Sequence, residues 1–223
     1  GVGTVTGVYK IPLVHGESLD VTTNKCLIGA YRGVGWSANQ TAREVLIDRA
    51  ARKLDMSPFE IRRRNVILPE DFPHTNATDL LIHEGSFLES IDVLERMVDY
   101  DAFRQRQKEV RANGKYIGLG VSIFHELGGI GTRTNSYFGN PVTTYDSSTV
   151  RVDPTGTVTV TTSLAAAGQG LPTTLAQIAA DALGVSVDKV VVRADSTANA
   201  YGLGTFASRA AVFGAGSIGR AAD

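Results

Sequence analysis

Two short segments contain the residues best suited to contact a ligand. The first, Gly168-Gln169-Gly170, precedes a predicted helix that begins near Leu171. Glycines beside a polar residue at a helix N-terminus let the backbone approach a ligand, and the free N–H groups there favour a negatively charged one. The second, Gly204-Thr205-Phe206-Ala207-Ser208-Arg209, combines hydroxyl groups, glycine backbone and one guanidinium before another predicted helix. That combination suits contacts with phosphate or pyrophosphate.

Both segments also have an ordinary interpretation as connecting loops. Glycine is common at turns, Ser208 is a residue type that caps helices, and Arg209 would then be solvated. A short glycine motif is weak evidence for a binding site, so spacing alone favours this interpretation.

Other familiar catalytic sets are absent from the sequence. The four histidines have no paired-ligand spacing and are expected to be surface or satisfied core residues; they are His15, His74, His83 and His125. There is no Gly-x-Ser-x-Gly segment and no lysine after a phosphate-binding glycine loop. The single cysteine, Cys26, excludes an internal disulfide framework, a Cys-based zinc site and a self-contained iron–sulfur cluster. We expect Cys26 to be a buried structural thiol.

Composition narrows the class of protein. With 43% hydrophobic and 20% charged residues, the 223-residue chain has enough apolar material for a substantial core. A net charge of −1 argues against a nucleic-acid-binding protein. Residues 154–180 carry no charge but are rich in Thr, Ser, Gly and Gln, which a bilayer core disfavours. We therefore expect no nucleic-acid partner and no membrane span.

The first half of the chain shows helical periodicity and start signals. From Ala38 to Leu54 apolar residues recur at helical spacing and are expected to face the core, with charged residues on the solvent side. The apolar positions are Ala38, Ala42, Val45, Leu46, Ala50 and Leu54, and the charged ones are Arg43, Glu44, Asp48, Arg52 and Lys53. Capping boxes at Ser57–Glu60 and Ser86–Glu89 predict two further helices. Asp101 is expected to cap a fourth helix that ends at Asn113-Gly114.

The second half mixes strand and helix patterns. Residues 117–123 alternate apolar side chains with Gly or Ser and predict a strand. Residues 150–152 and 158–160, joined by an Asp-Pro-Thr-Gly turn, predict a β-hairpin. A helix is expected from about 171 to 183, followed by a strand at 190–192 and a helix from Ala210. The fold class is therefore α+β, in two subdomains joined by a helical connector.

Several motifs, taken in order, resemble one enzyme family. They are Gly29-Ala30-Tyr31-Arg32-Gly33-Val34-Gly35, the segment 57–65, Gly168-Gln169-Gly170, the segment 176–185, Asp195, and Gly202-Leu203 with the Gly204–Arg209 loop. Together they are similar to the large subunit of molybdenum hydroxylases, the family of xanthine dehydrogenase, aldehyde oxidase and carbon monoxide dehydrogenase. The resemblance spans nearly the whole chain and implies the fold of molybdopterin-binding domains.

The resemblance implies roles for particular residues. Tyr31, Arg32, Gly33 and Val34 would line the substrate pocket, with Arg32 also donating to the cofactor. Gly168, Gln169 and Gly170, together with Thr205, Phe206, Ala207, Ser208 and Arg209, would bind the pterin and its phosphates. Side chains of this chain would not ligate the metal directly. Copper-containing carbon monoxide dehydrogenases have a cysteine where this chain has Gly33, so an aldehyde or N-heterocycle hydroxylase is the better match.

Two elements of the family are not present in this sequence. A Gly-Gly-Phe-Gly-type cofactor segment is expected upstream, and the general-base glutamate is expected downstream of the Gly-Gln-Gly segment, whereas Glu126 is the last glutamate here. The chain is therefore expected to be the middle of a larger subunit and to be inactive alone. Residues 1–112 would end the first molybdopterin-binding domain and include the helical connector, and residues 113–223 would begin the second.

The implied activity is hydroxylation of a small-molecule substrate, an aldehyde or N-heterocycle, with water as the oxygen source. The implied cofactor is molybdenum with molybdopterin, in a cytosine dinucleotide form. Electrons would leave through 2Fe-2S and FAD on partner subunits or domains, in a cytoplasmic enzyme that includes the remainder of the large subunit. The alternative is a non-catalytic pterin-nucleotide-binding or scaffold domain with the same fold.

Overall fold

The structure is a computed structural model that describes residues 2–26, 29–137, 139, 142–194, 196–197 and 201–223. Asp195, one of the residues that carry the family resemblance, lies outside the described residues. The chain divides into two compact units, Gly1–Glu126 and Leu127–Asp223. In the described part, no helix is both long and apolar enough to cross a bilayer.

The first unit is mostly helical. Its elements are α1 (Trp36–Lys53), α2 (Pro58–Asn65), the two-residue strands β1 (His74–Thr75) and β2 (Leu81–Ile82), α3 (Phe87–Val98) and α4 (Tyr100–Ala112). The antiparallel β1–β2 pair was not predicted from the sequence. The core of the unit consists of Val8, Tyr9, Phe59, Val66, Ile67, Ile82, Phe87, Ile91, Val121 and Ile123.

The helix starts follow the sequence signals, but the caps differ in detail. Ser57 caps α2 as predicted, because its side chain accepts a hydrogen bond from the Glu60 N–H at 2.9 Å. Ser86 precedes α3 without a side-chain cap bond. Asp99, not Asp101, caps α4 by accepting from the Ala102 N–H. The prediction for Asp101 was wrong by two positions, since α4 begins directly after α3.

The predicted orientation of α1 was wrong. Arg43 and Glu44 are buried, whereas Val45 and Leu46 are 52% and 61% exposed. The charged side chains turn inward because they find ionic partners there that the local sequence does not reveal. Arg62, on α2, is completely buried and pairs with Glu44 at 3.0 Å and with Asp48 at 2.8 Å.

The predicted strand at 117–123 does not form in the described structure. The side chains alternate as expected, with Val121 and Ile123 buried and Ser122 exposed, but the segment belongs to no strand. Side chains take the place of a neighbouring strand at two carbonyls. Gln107 Nε2 donates to the Ile117 carbonyl at 2.8 Å, and Arg62 Nη2 donates to the Val121 carbonyl at 2.6 Å.

The second unit packs helices against a small sheet. It contains α5 (Thr132–Tyr137), which was not predicted, followed by β3 (Ser148–Val152), β4 (Val158–Thr162), α6 (Leu171–Leu183), β5 (Val190–Arg193) and α7 (Ala210–Ala222). The strand order is β3-β4-β5, with β3–β4 antiparallel and β4–β5 parallel. Leu164, Leu175, Ala179 and Ile218 are buried in its core. The hairpin, α6, β5 and α7 all match the sequence predictions.

Cys26 is exposed, which contradicts the expectation of a buried thiol. It ends an irregular stretch, from Lys10 onward, in which nearly every residue is exposed. Among the described residues, this stretch therefore does not bury the thiol.

Candidate functional site

The two segments that the sequence selected for anion binding lie side by side in the second unit. The Ala165 N–H donates to Thr205 Oγ1 at 3.0 Å, and the Thr205 hydroxyl donates to the Ala165 carbonyl at 2.7 Å. Forty residues separate these two positions in sequence. This reciprocal pair brings the start of the Ala165–Gly170 loop, which contains the Gly-Gln-Gly motif, to the Gly202–Arg209 loop.

The Ala165–Gly170 loop is open and leads directly into α6. Gly168 and Gly170 have φ angles of 90° and 76°, a region that glycine adopts without steric cost. No atom lies within 4 Å of where a Cβ would stand at either glycine. Gly170 is the N-cap of α6 and supplies no side chain to the first turn. The first turn of α6 therefore has no side-chain cap and begins beside two glycines that border open space, where a ligand could approach the backbone.

Gln169 lies between the two glycines near the end of this loop and is exposed. Its Oε1 accepts a hydrogen bond from the Ala167 N–H at 2.6 Å. That bond holds the carboxamide across the loop and leaves its NH₂ group directed away from Ala167. A carboxamide can both donate to and accept from the edge of a heterocycle, which is the role that the sequence suggested.

The Gly202–Arg209 loop does not match its ordinary interpretation. Arg209 is fully buried rather than solvated, and α7 begins without a side-chain cap from Ser208. Ala207 and Ser208 have φ angles of 47° and 53°, a left-handed conformation that non-glycine residues rarely adopt. Consecutive residues keep such a conformation only where the surroundings enforce it, and these positions cluster at binding and catalytic sites.

Asp146 is the functional-site neighbour that sequence reasoning missed. It lies two residues before β3, its side chain is fully buried, and it forms an ion pair with Arg209. Its Oδ1 accepts from the Gly204 N–H and from the Ser163 hydroxyl, each at 2.9 Å. No sequence signal pointed to Asp146, because its partners are 17 to 63 residues away along the chain.

The predicted substrate-side residues lie in the first unit, at the N-terminus of α1. The Val34 N–H donates to the Tyr31 carbonyl at 2.9 Å, and the Trp36 N–H donates to the Gly33 carbonyl at 2.7 Å. Gly33 and Gly35 both have positive φ angles, so the chain turns tightly there. Tyr31 and Val34 are 81% and 62% exposed. The turn thus presents a phenol, a guanidinium and an isopropyl group on the surface of this unit.

An open cavity of about 470 Å³ lies beside Gly33 in the same unit. Trp36, Phe124 and His125 are among the residues that line it. The His125 ring packs edge-on against Trp36, with 5.9 Å between ring centroids, and burial lowers its pKa. A neutral imidazole among aromatic rings is consistent with the structural role that the sequence suggested for the histidines.

A buried ionic cluster supports this side of the first unit. Glu44 Oε2 accepts from the Tyr9 hydroxyl and from Arg62 Nε, both at 3.0 Å. Burial and the nearby Glu44 charge raise the pKa of Tyr9, so the phenol stays protonated and donates. Burial opposes the charge on Arg62, but Asp48 and Glu44 raise its pKa above the ordinary value. Arg62 therefore stays charged, and its ion pairs with Glu44 and Asp48 hold α1 on α2.

The donor set matches an anionic organic cofactor better than a bare cation. Among the residues that the structure describes, no group of three His, Cys, Asp or Glu side chains could hold a metal ion. The two touching loops instead offer backbone N–H groups, a carboxamide and open space at left-handed glycines. A pterin nucleotide needs such donors for its phosphates and its heterocycle edge.

Comparisons with known proteins agree with this assignment. Two family models, both described as molybdopterin cofactor-binding domains, match residues 1–66 and 93–223. The chain belongs to the molybdenum hydroxylase large-subunit family. It is 51% identical over 220 residues to the nicotine 6-hydroxylase large subunit of Paenarthrobacter nicotinovorans, covering 98% of this chain and 27% of that protein.

Solved structures of the family superpose closely on this chain. The quinoline 2-oxidoreductase of Pseudomonas putida 86 matches with a TM-score of 0.94 and 65% identity, over 99% of this chain and 28% of that one. A Cu,Mo-CO dehydrogenase matches with a TM-score of 0.87 and 31% identity, over 99% of this chain and 29% of its own. The chain thus spans less than a third of the length of these relatives. The resemblance found in the sequence and the predicted fold class are both confirmed.

Proposed function

We propose that this chain is the middle part of the large subunit of a molybdenum hydroxylase and supplies part of its pterin-nucleotide site. The contact between Ala165 and Thr205 carries the proposal, since it joins two loops that were selected independently for anion binding. Each loop offers backbone N–H groups and left-handed residues at a helix start. When bound, the molybdenum cofactor supplies two-electron oxidation of a C–H bond with water as the oxygen source.

The residues of this chain bind and orient rather than react. Gln169 and the backbone of Gly168 and Gly170 would hold the pterin or its phosphates. The Thr205–Arg209 segment would form the opposite wall, with Thr205–Ser208 facing the cofactor and the buried Arg209 behind them. A buried heterocycle edge that lost such a partner would be destabilised by about 1–3 kcal/mol per unsatisfied group, so these contacts govern retention of the cofactor.

The turn at Tyr31, Arg32, Gly33 and Val34 would line the substrate side of the pocket. Arg32 is always charged and offers several donors, which suits a contact with the cofactor. Gly33 has no side chain to ligate a second metal, so this pocket has no sulfur ligand for copper where the copper enzymes of the family have one. An N-heterocyclic aromatic substrate is favoured, because relatives at 65% and 51% identity are named for quinoline and nicotine, two such compounds.

The wider assembly follows from the same proposal. Residues 1–112 would complete one molybdopterin-binding domain together with the helical connector, and residues 113–223 would begin the next. The pterin would be in its cytosine dinucleotide form, and electrons would leave through 2Fe-2S and FAD on partner subunits or domains. A relative, 31% identical, is named as subunit gamma of a dehydrogenase complex, which supports partner subunits. A cytoplasmic location is part of the proposal.

The test uses the assembled enzyme that contains the full-length large subunit. N-heterocycles and aldehydes are supplied with an artificial electron acceptor in isotopically labelled water, and product is analysed by mass spectrometry. The proposal predicts labelled hydroxylated N-heterocycle and about one molybdenum per large subunit. An assembled complex that contains no molybdenum in any native preparation would instead support the non-catalytic scaffold.

A further inference from the structure

We propose that Asp146 is a positioning residue that sets the conformation of the cofactor-binding loop through its ion pair with Arg209. The proposal rests on the function proposed above. Arg209 then acts by holding the loop rather than by touching the cofactor itself. Both side chains are fully buried, and the backbone between Gly204 and Arg209 holds two non-glycine residues in the left-handed conformation.

Asp146 joins three separate parts of the second unit. It precedes β3, and its Oδ1 accepts from the hydroxyl of Ser163, the residue directly after β4. The same oxygen accepts from the Gly204 N–H, and the carboxylate pairs with Arg209 immediately before α7. One carboxylate therefore links the end of the β3–β4 hairpin, the Gly202–Arg209 loop and the start of α7.

Arg209 completes the link from the other side. Its Nη1 donates to the Gly204 carbonyl at 2.7 Å, so both polar groups of the Gly204 backbone are engaged by the pair. The guanidinium stacks on the Phe213 ring, with its central carbon 3.8 Å from the ring centroid. In the part of the chain that the structure describes, Asp146 is the one acidic group paired with Arg209. A completely buried cation depends strongly on such a partner.

The packing around the pair leaves little room for another loop conformation. A Cβ on Gly202 would lie 2.2 Å from Ser163 Oγ and 2.6 Å from Asp146 Oδ1, so the backbone approaches the carboxylate as closely as only glycine permits. Ala207 and Ser208, which lie between Gly204 and Arg209, have left-handed φ angles. Thr205, which contacts Ala165, sits next to Gly204. The pair therefore sets the position of the residue that joins the two loops.

The experiment compares Asp146→Asn with Asp181→Asn in the assembled enzyme. Asparagine keeps an oxygen for Ser163 and Gly204 but removes the charge, and Asp181 is an exposed aspartate on α6 in the same unit. Molybdenum and released pterin nucleotide are measured per large subunit during prolonged dialysis. We expect Asp146→Asn to lose nucleotide at least about tenfold faster than the wild type, and Asp181→Asn to match the wild type. Equal loss rates in both variants and the wild type would overturn the proposal.

Hydrogen exchange separates positioning from a general loss of structure. If Asp146 positions the loop, peptides that cover residues 201–209 and 164–167 should exchange their amide hydrogens faster in Asp146→Asn than in the wild type. Peptides from α6 should exchange at the wild-type rate. Faster exchange throughout α6 as well would show a structural role only and would overturn the proposal. If Asp146→Asn fails to assemble, Ser163→Ala is used instead, because it removes one hydrogen-bond partner of the carboxylate. Its exchange rate should rise in the same two loop segments, but by a smaller factor.

A double variant tests whether Arg209 acts through the pair. The double variant, Asp146→Asn with Arg209→Met, is expected to lose nucleotide no faster than Asp146→Asn alone, because both changes remove the same ion pair. Faster loss in the double variant would show that Arg209 contacts the cofactor independently. Failure of the underlying function is distinguishable from these outcomes, because the wild-type enzyme would then contain no pterin nucleotide at all.

Discussion

Replacing Glu44 with Gln should loosen the first unit far more than the same change at Asp92. Both carboxylates pair with arginines on α2, but Glu44 is 5% exposed and its partner Arg62 is completely buried, whereas the Asp92 side chain is 39% exposed and pairs with the half-exposed Arg63. Neutralising one member of a buried pair leaves the other charge without compensation, at a cost of about 3–5 kcal/mol. Exposed pairs contribute about 0–1 kcal/mol.

The structure places Glu44→Gln at the low end of that range. Arg62 would still pair with Asp48 at 2.8 Å and would still donate to the Val121 carbonyl. The glutamine would keep one oxygen for the Tyr9 hydroxyl. A loss of about 3 kcal/mol corresponds to local opening that is roughly 100-fold more frequent.

Hydrogen exchange followed by mass spectrometry on the full-length subunit measures this opening directly. Peptides that cover residues 58–66 and 119–124 should exchange about 100-fold faster in Glu44→Gln and less than about fivefold faster in Asp92→Asn. Similar exchange in the two variants would refute the reasoning, because it would mean that burial does not distinguish the two ionic clusters.

Three further outcomes follow from the site and its surroundings. Gln169→Ala should retain less molybdenum and pterin in the assembled enzyme, at a cost of about 1–3 kcal/mol in binding, and unchanged contents would remove Gln169 from the site. The enzyme should contain no copper and oxidise carbon monoxide poorly, because Gly33 offers no ligand; stoichiometric copper that tracks with activity would contradict this. Burial lowers the pKa of His125 in the folded protein below its value of about 6.5 in the unfolded chain. The free energy of unfolding should therefore decrease as the pH falls below about 6.5, because the unfolded chain binds the proton more tightly. His125→Phe should reduce that acid sensitivity in thermal melts, and an unchanged pH profile would argue against it.

Local signals in the sequence were sufficient for most elements and for the two candidate cofactor loops. The Asp-Pro-Thr-Gly turn and the cap at Ser57 depend only on neighbouring residues, and so does the end of α6 near residue 183, where Gly184 takes the left-handed conformation that glycine favours. The Gly-Gln-Gly and Gly204–Arg209 motifs were found for the same reason. Their contact through Ala165 and Thr205 was not, since it depends on how α6 and β5 return the chain to the end of β4.

The errors arise where distant partners override local pattern. The apolar stripe of α1 predicted the wrong face because Glu44 meets Arg62 and Tyr9, which lie 18 and 35 residues away. Residues 117–123 alternate as a strand does, yet a glutamine and an arginine from helices bind two of the carbonyls. Asp146 stands in an ordinary polar stretch, and only the fold shows that it is buried against Arg209.

The most direct test of the central claim is an experimental structure of the full-length large subunit with its cofactor bound. In that structure the pterin nucleotide should contact both the Gly168–Gly170 backbone and the Thr205–Ser208 segment, with Gln169 within hydrogen-bond distance of the heterocycle. Asp146 and Arg209 should remain paired behind the loop without touching the cofactor. A pterin nucleotide bound elsewhere, in contact with neither loop, would contradict the account.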